Sequence, residues 1–213
     1  MSSITVIGGT GYAGSAIVRE AVSRGHQVTS VSRHLPEQRV DGVTYETGSV
    51  QDEATVTKAA QADVLVVATH ADLPEGPNLD ELTPGIAEAV KQHGGTLAFV
   101  GGAGSSFVAE GGPRVIDTPD FPEAFKPEAS AHGRVLEWLQ ANGGGLDWFY
   151  VSPAGGFGAY APVERKGTYR TGGDVLVVAE DGSSTLGADD LALAFVDEIE
   201  QANHRGARFT VGY

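Results

Sequence analysis

Short, almost continuous runs of apolar and β-branched residues punctuate the chain at Ile4–Ile7, Val28–Val31, Val64–Ala68, Leu97–Val100 and Trp148–Val151. Each is too short for a helix, and continuous apolarity of this length suits a strand buried on both faces of a sheet. Between them, apolar positions recur at helical spacing, as at Ile17, Val18, Ala21 and Val22, and again at Leu82, Ile86, Ala89 and Val90. Strand and helix therefore alternate. This predicts right-handed parallel βαβ units and a doubly wound, mainly parallel α/β sheet of Rossmann type with helices on both faces. Further elements are expected as a strand at Thr44–Thr47, a helix after Pro127, a last helix near Asp189–Gln201 and a short final strand at Phe209–Tyr213. The glycines of His93-Gly94-Gly95 and Asn142-Gly143-Gly144-Gly145 are expected to end helices in left-handed conformations. No repeat or linker separates two cores, so residues 1–213 are read as a single domain. The long Gly/Pro-rich segments 101–120 and 153–173 follow strands and should overlie the carboxyl edge of the sheet, where open α/β sheets bind ligands.

The first strand runs into Gly8-Gly9-Thr10-Gly11-Tyr12-Ala13-Gly14 and then a helix. In this context Gly8 permits a tight turn, Gly11 lets the backbone approach a pyrophosphate, and Gly14 lets the helix pack closely on the strand. The helix start supplies N–H donors and positive potential, with Thr10, Tyr12 and Ala13 completing the loop. After the second strand, where an acidic residue would hold the ribose of NAD, the chain has Ser32-Arg33-His34. Arg33 is suited to a bidentate contact with a 2′-phosphate, assisted by Ser32 and His34, which predicts NADP(H) over NAD(H). The competing reading is an exposed arginine at a strand end.

Composition narrows the partners. Lys and Arg total 14 against 28 Asp and Glu, a formal net charge of −14, so no basic surface is expected for nucleic acid or an anionic membrane. Thirty glycines without a Gly-X-Y period belong to turns. The absence of cysteine excludes disulfides and thiolate chemistry, and six scattered histidines show no metal-ligand spacing. The chain starts directly on a strand, and a cytoplasmic protein is the expectation.

The loop Gly8–Gly14, Arg33, Val100-Gly101-Gly102-Ala103-Gly104-Ser105, Ser152-Pro153 and Glu164-Arg165-Lys166-Gly167-Thr168-Tyr169 together resemble the atypical short-chain dehydrogenases of the NAD(P)H-binding, NADH-flavin-reductase-like family. The resemblance runs essentially from end to end, and extends more distantly to biliverdin-IXβ/flavin reductases and NmrA-like proteins. It implies a Rossmann fold and either an NADPH-dependent reductase or, as in some NmrA-like relatives, a nucleotide sensor with little turnover. The Tyr-x-x-x-Lys pair of typical short-chain dehydrogenases is missing: Tyr160 is followed four residues later by Glu164, and Tyr169 by Gly173. Alcohol oxidation and sugar epimerisation by that route are disfavoured. A conjugated acceptor such as a flavin or quinone makes a weaker demand for a protein acid.

The resemblance places Ser105 near the nicotinamide; its competing role is to cap a loop. Ala68, Thr69 and His70 end the fourth strand beside the cofactor path, and Pro153 follows the sixth. His70 and His132 are candidate proton relays, against the plainer reading of an exposed or cofactor-packed imidazole. Glu164, Arg165 and Tyr169 are read as part of a substrate lid or, alternatively, a salt-bridged surface loop. Phe121, Phe125 and Phe157 are candidates to contact a planar substrate. The expected partner is a small-molecule acceptor, and the chain is compatible with a monomer or a homodimer.

Overall fold

A computed structural model describes all of residues 1–213. Eight strands form one sheet: β1 (Ser3–Ile7), β2 (Gln27–Ser32), β3 (Val43–Thr47), β4 (Val64–Val67), β5 (Thr96–Val100), β6 (Asp147–Ser152), β7 (Arg170–Gly172) and β8 (Ala207–Gly212). Their spatial order is β3-β2-β1-β4-β5-β6-β8-β7, parallel throughout except for the β7–β8 pair. The chain moves outward from β1 to β3 and then returns to β4 on the other side of β1. The topological switch point therefore lies above the carboxyl ends of β1 and β4, and a crevice opens there.

Alternation along the strands sends side chains to two cores. One face carries Ile4, Val6, Val28, Val66, Ala98, Phe149 and Phe209, covered by α1 (Tyr12–Ser23) and α5 (Ala188–Gln201). The other carries Ile7, Val31, Leu65, Val67, Phe99 and Tyr150, covered by α2 (Glu53–Ala59), α3 (Leu79–His93) and α4 (Lys126–Asn142). This division explains why the strand sequences read as unbroken apolar runs: both faces are buried. No helix is long and apolar enough to cross a membrane.

Two expectations need correction. Residues 170–172 form an edge strand within what the sequence suggests is only a loop. Gly143, at the end of α4, has φ −71°, so its conformation is not left-handed; Gly145, with φ +79°, makes the turn two residues later. Gly143 is required for another reason, because a Cβ there would stand 2.3 Å from the Trp148 ring nitrogen. Gly94 ends α3 as expected, with φ +70°.

Candidate functional site

The phosphate loop is built by close backbone contacts that exclude side chains. Gly8 has φ +87°, and a Cβ on it would lie 2.3 Å from the Ala68 carbonyl oxygen. A Cβ on Gly14 would lie 2.2 Å from the Gly8 carbonyl oxygen, so the first turn of α1 rests directly on the end of β1. Gly9 is equally constrained, since a Cβ there would meet the Ser30 hydroxyl at 2.4 Å. Gly11 caps α1, and the amides of Tyr12, Ala13 and Gly14 at the helix start have no partner within the helix. Ser32 is already engaged: its hydroxyl accepts from the Thr10 N–H at 3.1 Å and donates to the Val31 carbonyl at 2.8 Å. It pins the loop to the end of β2, while Arg33 and His34 project exposed beside it.

Across the switch point, Ala68 and Thr69 follow β4, Ala68 donating its N–H to the Ile7 carbonyl at 2.8 Å, and both crowd the space that a side chain on Gly8 would need. Pro153 is buried at the end of β6. Four polar side-chain atoms around this edge are buried without a hydrogen-bond partner: Ser30 Oγ, Thr69 Oγ1, Ser105 Oγ and His132 Nδ1. Such orphans are rare, and Thr69, directly after Ala68 beside the glycine loop, is one of them. The glycine cradle, with its unpaired helix-start amides and the orphaned Thr69 hydroxyl beside it, fits a dinucleotide. Ser105 also borders a cleft of about 200 Å³ against α4, with Arg114, Ile116 and Arg134 among its walls.

His70 and His132 meet at a residue that the sequence reading did not single out, Glu128 in the first turn of α4. Its Oε1 lies 3.1 Å from His70 Nδ1 and 3.2 Å from His132 Nε2. The carboxylate also accepts the backbone N–H of Ala71, at 3.0 and 3.1 Å to its two oxygens, and of Asp72 at 2.7 Å. Burial works to raise its pKa, but hydrogen bonds from His132, His70 and the Asp72 amide outweigh this and hold the carboxyl well below the usual range. The hydrogen bond to Glu128 raises the pKa of His70, opposed by partial desolvation and by the nearby positive charge of Arg33. The two rings differ in access: the His70 side chain is 86% exposed and that of His132 only 8%. His132 packs against Gly102, and Tyr150 donates to its backbone carbonyl at 3.1 Å. Burial raises the Tyr150 hydroxyl, which therefore remains a donor. The spacing Glu128-x-x-x-His132 puts both on one helix face and is the one sequence signal that would have revealed this cluster.

The loop after β5 is stitched to the segment that follows β7. Phe107 donates its N–H to the Asp174 carbonyl and accepts from the Leu176 N–H, both at 2.8 Å. Below them Arg208 of β8, 7% exposed, donates to the Asp174 carboxylate at 2.6 and 2.8 Å and to the hydroxyls of Ser106 and Ser152 at 3.1 and 3.3 Å. Ser106 is thereby committed to structure. Phe157 packs on Tyr12 of the phosphate loop with ring centroids 5.2 Å apart, and exposed Phe125 stacks on Tyr160 at 5.4 Å. Phe121, half-buried, lies in the segment leading into α4.

The segment Glu164–Tyr169 is tied to α5. The Lys166 and Gly167 amides donate to buried Asp190 at 2.6 and 2.9 Å. Tyr213 donates its hydroxyl proton to the same carboxylate and accepts the Gly187 N–H at 3.1 Å. Tyr169 packs on the core and donates to Asp197, which anchors the segment to α5. The side chains of Glu164 and Arg165 are exposed.

Known proteins share this architecture along its whole length. The chain is 35% identical over 210 residues to YwnB of Bacillus subtilis strain 168, an uncharacterised protein, covering 98% of this chain and 97% of that one. Its structure is similar to that of a proposed epimerase of Bacteroides thetaiotaomicron, with TM-score 0.87, 33% identity, and coverage of 99% of this chain and 96% of the other. It is likewise similar to SP1627 of Streptococcus pneumoniae TIGR4, described as a proposed NADH-flavin reductase, with TM-score 0.81, 30% identity, and coverage of 100% and 99%. A family model described as NAD(P)H-binding matches residues 8–202, beginning at the first glycine of the cradle, and the chain belongs to this family.

Proposed function

We propose that this chain is a reductase that prefers NADP(H) and passes hydride to a flavin, quinone or other conjugated acceptor. The observation that carries this reading is the pairing of the Gly8–Gly14 loop, whose Gly8, Gly9 and Gly14 leave no room for a side chain, with an exposed, unpaired Arg33, and no carboxylate, directly after β2. The free amides at the start of α1 would hold the pyrophosphate, and Arg33 would take a ribose 2′-phosphate bidentately. Thr69 and Ser105 offer hydroxyls to the rest of the nucleotide, and the Tyr12–Phe157 and Phe125–Tyr160 pairs offer flat apolar surface to a planar acceptor. The reduced nicotinamide supplies the hydride when bound; the protein's part is to orient it and to exclude water from the crevice.

The two structural relatives are described with different chemistries, and the residues favour hydride transfer to a conjugated acceptor over epimerisation. No tyrosine is followed four residues later by lysine, and Tyr150 is buried with its hydroxyl bonded to a backbone carbonyl. The same missing acid favours, as a second reading, a nucleotide sensor without turnover.

Titration of the purified chain with NADPH and NADH, followed by absorbance at the reduced-nicotinamide band as flavins and quinones are added, tests both readings. Tight NADPH binding with acceptor-dependent oxidation is expected, and Arg33→Ala should weaken NADPH by about tenfold while leaving NADH within about twofold. Binding without oxidation by any acceptor supports the sensor. An unchanged NADPH/NADH affinity ratio in Arg33→Ala removes the assignment of the 2′-phosphate.

A further inference from the structure

The Glu128 cluster places a titratable cation beside the phosphate loop. Three observations locate it there. Ala68, two residues before His70, donates its N–H to the Ile7 carbonyl at 2.8 Å, immediately before Gly8. Arg33 is exposed directly after β2, the neighbour of β1 on the side opposite β4. The His70 ring is exposed and held only through Nδ1, so Nε2 is free to point at a ligand. His70 and Arg33 thus flank the same cradle, one cation permanent and the other dependent on pH.

We infer that His70, oriented by Glu128, contacts a phosphate of the bound dinucleotide as an imidazolium and makes nucleotide affinity fall as the pH rises. This rests on the dinucleotide reading of the Gly8–Gly14 loop. Glu128 is the positioning residue: two backbone amides fix its carboxylate from below, and His132 holds it from inside the protein. With Nδ1–H directed at Glu128, the protonated ring presents Nε2–H outward as a charge-assisted donor. Neutral His70 can keep the bond to Glu128 while Nε2 becomes an acceptor, which repels a phosphate oxygen. The same ring therefore attracts the nucleotide in acid and loses that attraction in base.

The groups bearing on His70 are few. Glu128 from α4 favours its charge, and Arg33 from the β2 edge disfavours it. His132 acts through the shared carboxylate. In its own segment Asp72 contributes its amide to Glu128, and at the start of α4 Lys126 is paired with Glu123. A bound phosphate would offset Arg33 and raise the pKa of His70 further, so proton uptake accompanies binding.

The test is the affinity of the intact chain for NADPH and for NADH between about pH 6 and pH 8.5, in the native form and in His70→Gln, His70→Lys and Glu128→Gln. The 2′-phosphate of NADPH titrates near pH ~6 in every variant, so the difference between native and His70→Gln is the quantity read. The native chain should lose about three- to tenfold in affinity over this range beyond the loss seen in His70→Gln. His70→Lys should keep the low-pH affinity at high pH, and Glu128→Gln should move the midpoint to lower pH. A response with both nucleotides assigns the contact to the pyrophosphate, and a response with NADPH alone assigns it to the 2′-phosphate. The inference is overturned if His70→Gln keeps the native pH profile, or if His70→Lys binds no better than His70→Gln at high pH. If the native chain binds neither nucleotide at any pH, the dinucleotide reading itself fails.

Discussion

At single positions the decisive quantity is space. Gly14 sits where any side chain would strike the Gly8 carbonyl, so Gly14→Ala should push α1 off β1 and abolish nucleotide binding even where the chain still folds. Gly8→Ala adds the cost of a positive φ, about 1–2 kcal/mol, to its clash with Ala68, and urea unfolding would read the sum. Charge decides at Glu128. Its carboxyl titrates below the unfolded value of 4.5, so its contribution is present above that pH and is lost as the pH falls through the folded value. His70 titrates above its unfolded value of 6.5, so its contribution is present below that pH and is lost as the pH rises through the folded value. Glu128→Gln should therefore cost most between these two values, about 1–3 kcal/mol near pH ~6 in denaturant titrations, and less on either side. The sequence made Gly8, Gly11, Gly14 and Arg33 legible because their spacing follows from one strand–loop–helix unit. It hid Glu128, because an acid in the first turn of a helix already has a sufficient explanation in the helix dipole, and its partner His70 is 58 residues away. Arg208 was hidden for a similar reason: nothing local says that one arginine in the last strand will be buried under two loops.

Among elements, the parallel strands were legible because burial on both faces writes itself as an apolar run. The edge strand β7, Arg170-Thr171-Gly172, carries no such signal, and it exists because the neighbouring β8 offers it a ladder. The short helix α2 was not anticipated either; seven residues hold too few turns for a clear period, although Asp52 caps it by accepting the Thr55 N–H. The contact between α1 and α5 adds a polar rivet to an apolar interface. Arg24 donates to Glu20 and Asp197 at 2.9 and 2.7 Å and to Glu200 at 2.7 Å, with its side chain 20% exposed. Arg24→Met would leave three carboxylates facing each other, and should cost about 1–3 kcal/mol in chemical denaturation, less in high salt. Arg208→Met strikes elsewhere, since it unfastens Asp174, Ser106 and Ser152 at once. Limited proteolysis should then cut within residues 101–120 and 173–184 faster than in the native chain, while the strands remain protected.

For the molecule as a whole, a net charge of −14 sets two salt responses of opposite sign. Screening the self-repulsion should raise the melting temperature as sodium chloride goes from about 20 to about 300 mM, while the same screening weakens capture of an anionic nucleotide by Arg33. Calorimetry and binding titrations on one salt series would show both, and a melting temperature that falls with salt would instead put the surface ion pairs in control. The pairing of the segments after β5 and β7 has a different kind of consequence. Because Phe107 exchanges backbone hydrogen bonds with Asp174 and Leu176, the loop after β5 and the segment after β7 are two halves of one inherited part. A chimera that takes the first from a relative and keeps the second must reproduce that seam or strand two peptide groups without partners. On the reductase reading, new acceptor ranges should thus arise by exchanging both halves together or by changing only their tips, and single-loop grafts should yield chains that still bind nucleotide yet no longer oxidise it.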